Sequence, residues 1–251
     1  MEDNEVAGVA EEPVEYSNPF SRLIDVIVAP EDAFGSLKRK PAWFLPALIC
    51  ILVSLTASVF IMDQAVEIGR EQTLEYLEEH RAELSPEQIE MIEARAEQIG
   101  EGPMFYVFFF GMPLVQIFLY ILVAAAALNI ASGVAGQRLG FKGGLGIVSL
   151  GLVTYAVGAI VGVVLLRLTG DINAGTNLGV LFPARPTEWW MIALKSLATR
   201  IDIFAVWTVY LYTVGLSELT GISRKRSFRL VLVLWGLWAL AMVGLSFLFG
   251  G

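Results

Sequence analysis

One histidine, one cysteine and a 17% share of charged side chains are the scarcities of this 251-residue sequence, and each removes a class of chemistry. A lone cysteine, Cys50, makes no internal disulfide, zinc cluster or CxxC redox pair. A lone histidine, His80, has no second histidine and no helical HExxH around it, so a zinc site of ordinary ligand type is not expected. There is no GxSxG elbow and no histidine to activate a serine. Membrane proteases of the glutamate-pair type need several intramembrane histidines. The aspartyl type needs two intramembrane aspartates with GxGD, of which "LTGD" at Leu168 to Asp171 supplies half. No catalytic residue, metal or cofactor is expected, and no nucleic-acid partner. A basic-start secretory signal is missing too: the first sixteen residues carry six acids and no lysine or arginine. Residues 1–17 read as a disordered cytoplasmic tail.

What is abundant is hydrocarbon. The chain is 56% hydrophobic, its mean hydropathy is +0.65, and the apolar residues gather into five blocks: Trp43–Met62, Met104–Ala131, Leu145–Leu168, Ile192–Leu216 and Phe228–Phe249. Each is long enough to cross a hydrocarbon core of roughly 30 Å at about 1.5 Å per helical residue. Strands would leave backbone groups unpaired in lipid, and these runs do not alternate as barrel strands do. The expected fold is all-α: one polytopic membrane bundle of five transmembrane helices over residues 18–251.

Lysine and arginine set its orientation, because they are enriched on cytoplasmic flanks. Arg22, Lys38, Arg39, Lys40, Arg138, Lys142, Arg224, Lys225, Arg226 and Arg229 fall on one side. Arg70, Arg81, Arg95, Arg167, Arg185, Lys195 and Arg200 fall on the other. The amino terminus is therefore expected in the cytoplasm and the carboxyl terminus outside, across a plasma (bacterial inner) membrane.

Ahead of the first span, Phe20, Leu23, Ile24 and Ile27 stand at the i, i+3, i+4, i+7 spacing of one helical face. Pro30 ends that turn, and a second element with Phe34 and Leu37 leads to the basic Lys38–Lys40. Two readings stand open: an interfacial helix on the inner leaflet, its cations near anionic headgroups, or a lid packed on the bundle. The loop from 63 to 102 has twelve acids against three arginines. In it Ser85, Pro86 and Gln88 spell a capping box, Ile89, Ile92, Ala96 and Ile99 form one stripe, and Gly100, Gly102 and Pro103 stop the helix. With a preceding helix through Leu74 and Leu77 this predicts an acidic helical hairpin outside the membrane, a solvated face without the Asp/Gly pattern of a calcium loop.

"GFKGGLG", Gly140 to Gly146, lacks the GK[ST] ending of a phosphate loop and any strand before it. Its glycines run on into Gly151, Gly158 and Gly162, where small residues let membrane helices approach closely. Ala124 to Ala127 offers a small surface to meet them, and Gln116 and Asn129 are expected to hydrogen-bond between helices. Asp202 is the residue most expensive to insert, since an aspartate at a span centre costs about 2.5–3.5 kcal/mol on insertion scales. It is expected some 9 Å inside the outer edge, counted over about 20 residues per span. Arg167 is its expected partner and Lys195 the second, in a polar contact within the bundle.

"RIDIFAVWTVYLYTVGLSELTGISRKRSF", Arg200 to Phe228, resembles the fourth span and following loop of the bacterial branch of the Yip1 family. There a DxFxxW element, a later GL and a serine with basic residues recur in this order, here as Asp202, Phe204, Trp207, Gly215, Leu216, Ser223 and Lys225. "NPFSRLIDVIVAPEDAFGSLKRKPAWFLPALI" is similar to that family's opening, with Pro30 bounding the amphipathic segment. The resemblance implies five membrane helices and a cytoplasmic amino terminus. Eukaryotic members associate with Rab GTPases in vesicle traffic, but their DLYGP element is absent here and Rab binding is not carried over. The sequence thus points to a non-catalytic scaffold or adaptor that organises lipids, other membrane proteins or copies of itself. The alternative is a transporter or permease subunit built around Asp202.

Overall fold

The computed structural model describes residues 19–39, 42–171, 174–183 and 188–249. The tail of residues 1–17, Lys40 and Arg185 lie outside them. Among the described residues are nine α-helices: α1 (Pro19–Val28), α2 (Pro30–Ser36), α3 (Phe44–His80), α4 (Pro86–Gln98), α5 (Gly102–Val134), α6 (Phe141–Thr169), α7 (Trp189–Ala198), α8 (Ile203–Thr220) and α9 (Arg224–Phe249). A short 3-10 helix covers Leu178–Leu181. Their only β pairing is an isolated bridge between Asn177 and Asp202. Five of the helices, α3, α5, α6, α8 and α9, are long and apolar enough to cross a membrane. This is an integral membrane protein with an all-α polytopic fold.

The bundle is built around α6, which packs against α3, α5 and α8. Its residues from Gly144 to Thr154 are buried without interruption. Small residues make that possible. A Cβ on Gly144 would stand 2.6 Å from the carbonyl oxygen of Ala125 in α5, and one on Gly151 would enter the Tyr212 ring of α8. Only glycine lets backbones meet at such distances, which is how helices associate in lipid without a hydrophobic drive.

The helix of the first span does not stop at Met62. It runs on as a single helix of 37 residues, about 55 Å at 1.5 Å per residue, so its second half stands clear of a hydrocarbon core of roughly 30 Å. Asp63 to His80 contain no proline and one glycine, so nothing in the backbone ends the helix where the hydrophobicity does. That half forms the acidic hairpin with α4. Ser85 Oγ accepts the Gln88 N–H at 3.3 Å and Gln88 Oε1 accepts the Ser85 N–H at 2.9 Å. Leu77 and Ala96 close the contact between the two helices. Arg70 donates to the carbonyls of Glu97 and Ile99, at 3.2 and 3.0 Å, satisfying acceptors that the end of α4 leaves free.

The fourth span also differs from the block Ile192–Leu216. Residues 192–198 belong to α7, ten residues long and about 15 Å, too short to cross. The chain breaks at Thr199 to Asp202, and α8 begins at Ile203 and continues past Leu216 to Thr220. Averaged over a span-length window, hydropathy carries across the charged Arg200 and Asp202 of this break, whereas helical hydrogen bonding does not.

Candidate functional site: the amino-terminal face of the bundle

The helix ends near α1 and α2 form one face, here termed the amino-terminal face; the acidic hairpin marks the opposite one. On the amino-terminal face α2 is wedged into the bundle. Ala33 and Phe34 have no exposed surface, and Leu37 is buried beside them. A Cβ on Gly215 of α8 would stand 3.1 Å from the Phe34 ring, and one on Gly146 of α6 would stand 2.9 Å from Leu37. The absence of two side chains therefore shapes the seat for two large ones. Arg224, at the start of α9, reaches Glu31 of α2 at 2.8 Å and Glu218 of α8 at 3.0 Å. These ions are partly solvated, so the clasp orients the segment more than it stabilises it. The α8–α9 turn is held locally: Gly221 takes φ +74°, and the Ser217 and Ser227 hydroxyls donate to the Ile222 carbonyl at 2.8 and 3.4 Å.

α1 divides its apolar residues between two surroundings. Leu23 and Val26 join the core, while Phe20, Ile24, Ile27 and Val28 are exposed by 60, 62, 43 and 72%. The expected stripe Phe20–Leu23–Ile24–Ile27 is thus split, because Leu23 turns inward with Val26. Lys38 and Arg39 are exposed just after α2. An outward apolar face beside cations is able to meet a lipid headgroup region or a partner helix.

Residues 24–247 match the Yip1 domain, a stretch that begins inside α1 and ends inside α9. The chain belongs to the Yip1 family. No curated protein and no solved structure matches it.

Within this Yip1 domain the signature residues take separate posts. Pro30 opens α2; Gly215 receives Phe34 and Leu216 is fully buried; Ser223 and Lys225 are exposed on the α8–α9 turn and the start of α9. Phe204 lies against Gly158, 3.2 Å from where its Cβ would be, and Trp207 packs on the core. Asp202 does not lie inside a helix. It is the N-cap of α8, and its Oδ1 accepts the Ala205 N–H at 2.5 Å. Among the described residues it pairs with neither expected cation: Arg167 donates to the Phe60 carbonyl of α3 at 2.5 Å, and Lys195 to the Pro183 carbonyl at 2.8 Å. A carboxylate at a helix start already has an electropositive partner in the free N–H groups, which is why a basic side chain is not needed.

Gly162, expected with Gly158 to let a neighbouring helix approach, has nothing within 4 Å of its Cβ position. The Ala124–Ala127 surface is met instead by Gly144, at Ala125. Gln116 is exposed and Asn129 half-buried, and among the described residues neither side chain bonds another helix. The hydroxyls that do so were not singled out from the sequence: Tyr120 with Tyr212 at 2.8 Å, joining α5 to α8, and Thr154 with Thr208 at 2.6 Å, joining α6 to α8. A usable signal existed, since a hydroxyl in an apolar helix must find a partner or bond its own preceding turn. The Glu31–Arg224–Glu218 clasp was also missed, because Glu31 lies far in sequence from Glu218 and Arg224. His80 bonds the Tyr76 carbonyl and stacks on the Tyr76 ring. No three His, Cys, Asp or Glu side chains converge among the described residues.

Proposed function

We propose that this Yip1-family protein is a non-catalytic scaffold or adaptor that organises lipids, other membrane proteins or copies of itself, using the face centred on α1. It acts in the plasma (bacterial inner) membrane, with the amino terminus cytoplasmic and the hairpin outside, as the distribution of lysine and arginine supports. The observation that carries the reading is the outward apolar row Phe20, Ile24, Ile27 and Val28 on a segment anchored by Phe34. A segment held this firmly keeps its exposed face at a fixed height and angle, so apolar surface is presented without an ordering penalty at each encounter.

The test is crosslinking in native membranes with the wild type and with Phe20→Glu/Ile24→Glu/Ile27→Glu, which alters the exposed row and spares Leu23, Val26 and Phe34. Loss of specific protein or lipid adducts in the triple variant is the expected result. Retention of every adduct by a correctly folded triple variant overturns the proposal. Deleting residues 18 to 40 is a poorer test, because it also empties the seat at Gly215.

A second reading, a transporter or permease subunit around Asp202, is favoured by a cavity of about 300 Å³ lined by Thr154, Gly162, Asn177, Asp202 and Phe204. Its test is Asp202→Asn, which keeps the cap and removes the charge. Loss of an ion-coupled flux with folding unchanged supports transport, and an unchanged flux overturns it.

A further inference from the structure

A second cavity, of about 380 Å³, lies between α5, α8 and α9, apart from the α1 face and from Asp202. Its walls are Leu119 to Leu128 on α5, Ala205 to Tyr212 on α8, and Val231 to Trp238 on α9. Three alanines, Ala124, Ala127 and Ala205, hollow it out, and Trp235 and Trp238 line its α9 side. The hydroxyls on its lining are spoken for: Tyr120 and Tyr212 bond each other, and Thr208 bonds Thr154 and the Phe204 carbonyl. What they leave is predominantly apolar surface, unsuited to a polar solute. From Leu128 to Leu119 the cavity follows α5 for about 13 Å, close to one leaflet of a hydrocarbon core roughly 30 Å thick. All three walls are membrane helices, so the surrounding medium is acyl chain.

Arg200 stands at the edge of this cavity on the hairpin side. Its guanidinium carbon lies 5.2 Å from the centre of the Trp238 ring. The side chain is partly buried, and its Nε is buried with no hydrogen-bond partner. Among the described residues Arg200 has no ion pair and no side-chain hydrogen bond. Burial lowers the pKa of the guanidinium, yet arginine keeps its charge at any physiological pH. A charged fork held over an aromatic ring, its donors unused at the rim of a hydrocarbon slot, has the two halves of a phospholipid site: guanidinium for phosphate, cavity for chain.

We infer that the cavity between α5, α8 and α9 binds one anionic phospholipid of the leaflet on the hairpin side, one acyl chain between Ala127 and Trp235 and its phosphate on Arg200. This site is independent of the α1 face, so either proposal stands if the other fails.

The experiment uses the full chain in nanodiscs that contain a phosphatidylglycerol or a phosphatidylcholine with a diazirine in one acyl chain, with adducts mapped by mass spectrometry. Val164, exposed on α6, reports on lipid that merely surrounds the bundle. With phosphatidylglycerol the adducts concentrate on the cavity walls, about tenfold above Val164, a factor equivalent to 1.4 kcal/mol. Phosphatidylcholine and the Arg200→Gln variant each lower this excess to near the Val164 level, and Arg200→Lys retains most of it. Ala127→Trp fills the slot and removes the phosphatidylglycerol excess. Ala127→Leu, a smaller change, lowers it in part and serves if the tryptophan variant does not fold. Added inorganic phosphate leaves the adducts in place, because an anion without an acyl chain gains nothing from the cavity and competes weakly for Arg200. Adducts as frequent on Val164 as on the cavity walls, an excess indifferent to headgroup and to Arg200→Gln, or displacement by inorganic phosphate overturns the proposal.

Discussion

Phe34 of α2 is wholly buried in the space that Gly215 of α8 leaves open, 3.1 Å from where a glycine Cβ would be. Truncation of the ring leaves a cavity, so Phe34→Ala is expected to lose about 3–5 kcal/mol. Gly215→Val is expected to lose about 1–3 kcal/mol by overpacking against Phe34 and Ile147. The double variant should lose less than the sum, because the missing ring makes room for the added methyls. Unfolding midpoints in detergent micelles measure all three. A change under about 1 kcal/mol for Phe34→Ala would show that α2 is not a plug.

Two glycines of α6 should respond in opposite directions. Gly151 lies under the buried Tyr212 ring, whereas Gly162 faces open space. Gly151→Ala displaces the ring, pulls its hydroxyl from Tyr120, and is expected to lose about 1–3 kcal/mol. Gly162→Ala gains helix propensity without a clash, about 0.5–1 kcal/mol. Equal effects at the two positions would refute the packing around Tyr212.

Asp202 is expected to behave as a cap. Asp202→Asn and Asp202→Ser keep an oxygen for the Ala205 N–H and should stay within a few tenths of a kcal/mol of the wild type, whereas Asp202→Ala should lose about 1 kcal/mol. The same unfolding assay decides it. A loss in Asp202→Asn as large as in Asp202→Ala would mean that charge, and not cap geometry, is what α8 requires.

Topology has a direct chemical test. Cys50 is buried, and Cys50→Ser gives a background without thiols. In that background Glu93→Cys on the hairpin should react with an impermeant maleimide on intact cells, and Lys225→Cys at the start of α9 only after permeabilisation. Both positions are exposed to solvent. The reverse pattern would invert the proposed orientation.

The membrane spans were legible because hydrophobic length is a one-dimensional property, and the capping box was legible because three neighbouring residues specify it. The helix ends that depart from the apolar blocks share a cause. Hydropathy weighs side chains, whereas a helix ends where backbone hydrogen bonding does. So α3 outruns its apolar block by 18 residues, from Asp63 to His80, and α7 and α8 read as one run despite Asp202 between them. That residue was visible as a polar exception. Its role as a cap was hidden by the assumption that the span began at Ile192. The contacts that build the amino-terminal face, Phe34 with Gly215 and Arg224 with Glu31, join distant parts of the chain, and no periodicity encodes such a meeting.

The continuity of α3 couples the two sides of the membrane. One helix carries Leu77 of the acidic hairpin and, toward its other end, Ala47 and Cys50 in the core that also holds Leu37 and Phe34. A tilt of about 5° over its length of about 55 Å displaces one end relative to the other by about 5 Å. Anything that grips the hairpin therefore holds the long arm of a lever whose short arm rests against the seat of α2.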